Sequence, residues 1–177
     1  MDSNSTAAAS PLSAPLPISI CRTEPDEHRE LTEVAFAAKR HWNYPEEYFD
    51  LWKNELTISE AYIRNHVVYS VRDDEKTVGF YSIVENPDEF YAGEVLVAKG
   101  WWLEHMFIIP KYHRRGIGRR MVAHVKERAA ELEIAELRIF VDPFARGFYD
   151  RVGAVFLYDA KSSIPGRTIP VYLLKTR

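Results

Sequence analysis

The chain has 177 residues, 46% of them hydrophobic and 28% charged, with a formal net charge of −3. This length predicts one globular domain, and the near-balanced charge excludes a global attraction to nucleic acid or anionic membranes. Cys21 is the single cysteine, which excludes an intrachain disulfide or a cysteine metal cluster and fits a reducing, cytoplasmic setting; no run of about 18 apolar residues offers a membrane span.

Residues 1–16, MDSNSTAAASPLSAPL, lack the basic and apolar regions of a signal peptide and read as a disordered tail. Residues 17–177 are the single domain. Ile18 and Ile20 alternate with Ser19 and Cys21 in a first strand, Pro17 to Thr23. Asp26 is placed to cap the following helix, whose apolar face is Leu31, Val34, Ala35 and Ala38. Trp42, Tyr44, Tyr48, Phe49 and Trp52 crowd the next segment, where Pro45, Glu46 and Glu47 favour a helix start. A short helix started by Thr57-Ile58-Ser59-Glu60 and running to about Arg64 precedes a hairpin of His66 to Arg72 and Val78 to Val84, turning at Asp73-Asp74-Glu75-Lys76. Glu94 to Ala98 is a short strand, and Lys99-Gly100 turns the chain into a central strand, Trp101 to Ile109. A helix over 116–132 follows, with Ile117, Met121, Val125, Ala129 and Leu132 as its stripe. A strand at Leu137 to Val141, a helix from Pro143 to Arg151, and strands Val155 to Asp159 and Thr168 to Lys175 complete the chain. The order β-α-α-β-β-β-α-β-α-β-β predicts an α/β fold of mixed α+β type, a central mixed sheet with helices on both faces.

The stretch from Trp101 to Arg120, WWLEHMFIIPKYHRRGIGRR, organises the rest. A strand stopped by Pro110 leads through a basic glycine loop into a helix. The unpaired N–H groups at that helix start and the helix dipole favour an anion. Gly116 and Gly118 bring no Cβ between a phosphate and the backbone. Lys111, Arg114, Arg115, Arg119 and Arg120 supply positive charge. The pattern predicts a cradle for a ligand with several phosphates, against the alternative of a tight structural turn. No Gly-Lys-Ser/Thr follows, which excludes a P-loop, and the third glycine of the dinucleotide fingerprint is missing.

His113-Arg114-Arg115-Gly116-Ile117-Gly118, after a strand ending in Pro110, resembles the Gln/Arg-x-x-Gly-x-Gly/Ala motif of the GNAT superfamily of N-acetyltransferases. The block from Asp142 to Ala154, DPFARGFYDRVGA, looks like that family's N-x-x-A-x-x-x-Y-x-x-x-G segment. His41-Trp42-Asn43-Tyr44 with Pro45-Glu46-Glu47 is a third likeness, to small bacterial-type members. His113 departs from the usual Gln or Arg, and Asp142 from the usual Asn, so one pyrophosphate contact and the pantetheine contact there differ from the family's.

The resemblance implies that strands 101–109 and 137–141 lie parallel and splay at their C-terminal ends, where pantetheine pairs as a pseudo-strand. It implies acetyl-CoA as donor, its pyrophosphate held by Arg114, Arg115, Gly116, Ile117, Gly118, Arg119 and Arg120. The pantetheine arm would lie against the backbone of Met106, Phe107 and Ile108 and near Asp142. Tyr149 matches the family's tyrosine beside the CoA sulfur and is expected to protonate the leaving thiolate. Glu104 is the expected base, directly or through water. The period of two puts it on one face with Trp102, Met106 and Ile108. Related histone acetyltransferases present a glutamate from that face, two residues nearer the strand start, where this chain has Trp102. His105 faces the other way and is the substitute base. The residues from His41 to Trp52 are expected to receive a cationic acceptor by cation–π contact and charge. The expected partners are acetyl-CoA and a small-molecule or peptide amine, with no metal, nucleic acid or membrane. A homodimer through the last strands is compatible with the family. The reading from a different class is a non-catalytic acyl-CoA-binding sensor on the same fold.

Overall fold

The computed structural model describes residues 17–177, and the expected tail at 1–16 lies outside the described residues. The strands are β1 Ile18–Arg22, β2 Val67–Asp73, β3 Lys76–Asn86, β4 Phe90–Ala92, β5 Val95–Val97, β6 Gly100–Ile108, β7 Glu136–Phe140, β8 Val155–Lys161 and β9 Thr168–Lys175. The helices are α1 His28–Arg40, α2 Glu46–Leu56, α3 Glu60–Asn65, α4 Ile117–Glu131 and α5 Arg146–Arg151. A seven-stranded sheet runs in the order β1-β2-β3-β6-β7-β9-β8, and β4 and β5 form a separate hairpin. The expected mixed α+β fold is present.

Alternation along the strands sorts the core into two layers. On one face Leu31, Val34, Phe49, Trp52, Leu56 and Ile63 of α1–α3 pack on Val68 and Phe80. On the other, Met121, Val125 and Ala129 of α4 and Tyr149 of α5 pack on Val71, Tyr81, Leu103, Leu137 and Ile139. The stripe of α4 is thus buried as its spacing requires. Leu132 lies one residue past the helix and is 48% exposed.

Two local expectations change. The entry to α1 is a single 3-10 turn, Pro25–Glu27, where Glu27 rather than Asp26 takes a backbone donor, the Glu24 N–H at 2.5 Å. The strand expected at 94–98 pairs with Phe90–Ala92 outside the main sheet. At the sheet's far edge, β8 leaves Val155, Phe156, Leu157 and Tyr158 exposed.

β6 and β7 form the parallel pair, in register only at Trp102↔Arg138. The five other strand pairings of this sheet are antiparallel. β6 also carries a bulge. Ser82 of β3 faces His105 and Ile83 faces Leu103, so Glu104 is the extra residue. The bulge reverses the side-chain alternation. Trp101, Leu103, Met106 and Ile108 join the α4–α5 layer, Phe107 joins the α1–α3 layer, and Trp102 packs on Val97, Val171 and Phe140. The expected shared face of Glu104 with Trp102, Met106 and Ile108 is therefore corrected, because an unbroken period of two does not survive a bulge.

Leu137 is fully buried between α4 and the sheet. Leu137→Ala is expected to lower unfolding free energy by about 2–5 kcal/mol, read as a lower denaturant midpoint at unchanged slope.

Candidate active site

The notch begins where the β6–β7 ladder stops. The Ile109 N–H donates to the Val78 carbonyl of β3 at 2.9 Å, and the His105 N–H donates to Ser82 Oγ at 3.1 Å. Backbone groups alternate between strand edges, so Phe107 also faces β3, while Met106 and Ile108 face the open side toward β7. Of the three residues expected along a pantetheine arm, Met106 and Ile108 present their backbone there. Phe107 does not, and its ring lies 5.8 Å from Phe80 and His105.

Below the open edge the chain turns into α4. Arg114 (φ +61°) and Gly116 (φ +78°) are both left-handed, and Gly116 is the N-cap. That conformation is natural to glycine. The first bond of α4 runs from the Arg120 N–H to the Gly116 carbonyl at 3.2 Å. Among the described residues, the N–H groups of Ile117, Gly118 and Arg119 find no acceptor, as a helix start requires. Gly118 has a packing reason as well: a Cβ there would lie 2.9 Å from the Phe148 ring of α5.

The basic side chains divide. Arg114 and Arg119 are exposed and, among the described residues, paired with no carboxylate. Arg115 lies over the Tyr112 ring at 5.2 Å, as does Lys111 at 5.1 Å. Arg120, expected to add charge to the cradle, has its guanidinium donating to the Ile18 carbonyl at 2.6 Å. His113 folds back onto the open edge, with Nε2 3.1 Å from the Ile108 carbonyl oxygen. A carbonyl only accepts, so Nε2 carries the hydrogen. The His41 ring meets His113 edge-on at 5.0 Å.

Asp142 is held from three sides. Oδ2 accepts from Lys39 Nζ at 2.8 Å, and Oδ1 accepts from the Tyr44 hydroxyl at 2.9 Å and the Phe144 N–H at 3.1 Å. Arg167, in the turn between β8 and β9, donates to the same Tyr44 oxygen at 3.2 Å. This clasp ties α1, the loop before α2, the end of β7 and the β8–β9 turn together. Asp142, expected near the pantetheine arm, thus has both carboxylate oxygens engaged by internal partners. Burial pushes the Tyr44 phenol up to about 12, with Arg167 opposing and Asp142 adding to the rise.

The aromatic wall holds the protein's own cations. Lys39 Nζ sits 4.7 Å from the Trp52 centroid, and Arg167 sits 4.7 Å from Tyr44 and 5.5 Å from Tyr48. Trp42 stacks on Phe144 at 5.1 Å, over the end of β7. The wall's expected cation–π contacts are made internally at these rings.

Tyr149 of α5 is 7% exposed, and among the described residues its hydroxyl has no hydrogen-bond partner. Burial, reinforced by Asp142, raises its phenol well above the ordinary range, so it is a neutral donor. Glu104 is the half-exposed bulge residue, and its carboxylate accepts from the Tyr62 hydroxyl of α3. His105 is 5% exposed, with Nδ1 2.9 Å from the same hydroxyl. Tyr62, Lys39 and Arg167 escape sequence reasoning, since each reaches the site only through tertiary contact. The sequence signal nearby is the helix start at Thr57-Ile58-Ser59-Glu60, within which the structure makes Ser59 the cap, its side chain accepting the Tyr62 N–H.

A parallel strand pair opened beside a glycine-capped helix start defines an α+β protein of the acetyltransferase type. The chain matches the family model described as Acetyltransferase (GNAT) family over residues 26–154, and it belongs to that family. It is 29% identical over 92 residues to the peptidyl-lysine N-acetyltransferase YiaC of Escherichia coli (strain K12), covering 51% of this chain and 53% of that one. The chain thus spans about half the length of the curated relative it matches. The fold is similar to the PaiA N-acetyltransferase of Thermoplasma acidophilum in complex with coenzyme A (TM-score 0.66, 18% identity, 89% of this chain and 98% of that one). It is also similar to the ribosomal-protein-S18-alanine N-acetyltransferase of Escherichia coli (TM-score 0.62, 16% identity, 90% and 94%). A GCN5-related N-acetyltransferase structure from Rhodopseudomonas palustris superposes at TM-score 0.69 (16% identity, 95% and 99%). Among the described residues no helix is long and apolar enough to cross a membrane.

Two measurements check this geometry. Asp142→Asn keeps the acceptor for Tyr44 and Phe144 but leaves Lys39 unpaired at 15% side-chain exposure. It is expected to cost about 1.5–3 kcal/mol of stability, with much less loss when Lys39→Met is combined with it. Burial holds the His113 imidazole below its ordinary value, with the Ile108 carbonyl opposing. The unfolded chain then binds that proton more readily than the folded one. Stability from His113 is whole above the ordinary histidine range and is lost as pH falls through the folded value. His113→Gln is expected to flatten the thermal-stability profile between about pH 7 and 5.

Proposed function

We propose that the chain is an acetyl-CoA-dependent N-acetyltransferase that passes the acetyl group to a primary amine by direct attack in a ternary complex. One observation carries the reading. The single rung Trp102↔Arg138 leaves the Met106–Ile108 edge open immediately before a helix start with three free N–H groups. An extended amide-bearing arm pairs with such an edge, and a pyrophosphate fits such a helix start. Family membership and the likeness to a peptidyl-lysine acetyltransferase support acetyl transfer as the chemistry.

The roles follow from the atoms. Backbone N–H groups of α4, with Arg114 and Arg119, hold the pyrophosphate. The Met106 backbone pairs with the pantetheine arm, and His113 leaves the Ile108 carbonyl as that arm seats. A lysine-like amine near pKa ~10.4 is mostly protonated at neutral pH, so it must lose a proton first. Glu104 takes it, directly or through a water. The nitrogen attacks the thioester carbon, and a backbone N–H at the splay stabilises the oxyanion. As the C–S bond breaks, Tyr149 protonates the leaving thiolate. The acceptor is a small-molecule or peptide amine.

The test is isothermal titration with acetyl-CoA, then turnover on a panel of primary amines. Any Cβ at 118 meets Phe148, so Arg114→Glu/Arg119→Glu accompanies Gly118→Glu as the binding control. Saturable binding lost in the charge-reversed variant is expected. Tyr149→Phe is expected to bind acetyl-CoA normally and lower kcat by about 10²-fold or more. No binding at millimolar acetyl-CoA refutes the reading. Binding without turnover on any amine replaces it with the acyl-CoA sensor.

A further inference from the structure

Tyr62 stands where three elements meet. Its hydroxyl donates to the Glu104 carboxylate and lies 2.8 Å from Ser82 Oγ and 2.9 Å from His105 Nδ1. The far side of the His105 ring settles its tautomer. Nε2 lies 3.1 Å from the Glu55 carbonyl oxygen at the end of α2, so it carries the hydrogen and Nδ1 presents its lone pair. Ser82 Oγ accepts the His105 N–H at 3.1 Å and lies 3.1 Å from Nδ1. The Ser82 hydrogen can therefore fill Nδ1 while the Tyr62 hydrogen serves Glu104. The cluster runs unbroken from a carboxylate 45% exposed at the side chain to an imidazole 5% exposed.

The bulge makes this arrangement. It frees Glu104 from partnership with β3 and lets its side chain reach Tyr62 beside His105, not toward α4. The other titratable group facing the cluster is His66, after α3, whose ring is 4.6 Å from Tyr62. Burial lowers His66, with Glu104 opposing, so His66 stays neutral near pH 7. Burial and the Glu104 charge push Tyr62 far above the ordinary phenol range, so it works as a neutral hydroxyl and not as a base.

We propose that Tyr62 is a positioning residue: it holds the Glu104 carboxylate at the strand splay and relays to His105 the proton that Glu104 takes from the acceptor amine. This rests on the acetyl-transfer reading. The protons balance without any co-reactant. The Glu104 carboxyl gives its hydrogen to the Tyr62 oxygen as the Tyr62 hydrogen moves to Nδ1. Glu104 returns to carboxylate, Tyr62 stays a neutral phenol, and His105 becomes imidazolium. Both its N–H groups then have acceptors, the Glu55 carbonyl on one side and Tyr62 or Ser82 on the other. The restored carboxylate then lies 3.9 Å from Nδ1. The proton leaves later by the same path through exposed Glu104.

The experiment has one arm that needs no acceptor. Histidine-labelled protein is titrated by NMR as wild type, Glu104→Gln and Tyr62→Phe. Tyr62→Phe keeps the ring that packs on His66 and His105, and its thermal midpoint is recorded alongside. Both variants are expected to shift the His105 titration, although Tyr62→Phe leaves Glu104 in place. The second arm is the pH profile of kcat with a turned-over amine. Tyr62→Phe is expected to lower kcat about tenfold or more and displace the acidic limb, with KM for acetyl-CoA unchanged. A Tyr62→Phe variant with the wild-type His105 titration overturns the relay. So does a loss of kcat with an unmoved pH profile, which marks a packing role. A wild-type chain that acetylates no amine overturns the acetyl-transfer reading instead, and the NMR arm still decides whether Tyr62 couples the two groups.

Discussion

A parallel ladder holds two strands by evenly spaced bonds along their shared length. β6 and β7 share one rung, Trp102 with Arg138, and that rung is fastened heavily. Trp102 is 2% exposed, stacks on Phe140 at 4.5 Å and donates its indole N–H to the Ala98 carbonyl at 2.8 Å. Arg138 donates to the Lys99 carbonyl at 3.2 Å. Beyond this point β6 carries the bulge at Glu104 and its remaining residues keep pairing with β3 alone. Bulged strands bend and twist more strongly. The open edge, the outward turn of Glu104 and the reach of α3 to the site all depend on that departure.

Opening a sheet exposes backbone groups that need partners. The protein meets this need with its own side chains. His113 covers the Ile108 carbonyl, and Trp42 and Phe144 stack over the end of β7. Asp142 is drawn into an ion pair with Lys39 and a bond with Tyr44. These contacts exchange readily for those of a ligand only where they are weak. A histidine–carbonyl bond is a modest interaction, whereas a charge-assisted pair of low exposure is expensive to break. On the proposed function, His113 is then the cover that a ligand displaces and the Asp142 clasp the frame that stays.

Much of this could be read from the residues. The helical stripe at Ile117, Met121, Val125 and Ala129 and the glycine loop at Gly116 are local or periodic, so they are written in sequence spacing; the parallel pairing of the two central strands was implied only by the resemblance to the family. The face of Glu104 was not legible. A bulge is set by the mismatch between two strands, and neither strand alone shows it. The fates of Arg120 and Asp142 were illegible for a related reason. A charged side chain a few bonds long is placed by whichever opposite or acceptor group the fold delivers, here the Ile18 carbonyl and Lys39, 102 and 103 residues away in sequence. Tyr62 lies outside every motif, and only the docking of α3 makes it a neighbour of Glu104.

On the proposed function, the internal cations also constrain the acceptor. An amine drawn to the site by rings alone would have to displace Lys39 from Trp52 and Tyr44, or Arg167 from Tyr44 and Tyr48. Those guanidinium and ammonium groups are tied to Asp142 and to the Tyr44 hydroxyl, so displacement would also break the clasp. Attraction for a cationic acceptor therefore falls to carboxylates that are not already neutralised. Glu104 is one, since its partner Tyr62 is a neutral hydroxyl and leaves the charge uncompensated. On the proposed function a single carboxylate then does two jobs. It draws the ammonium toward the splay while the amine is still charged, and it takes the proton once the amine is there.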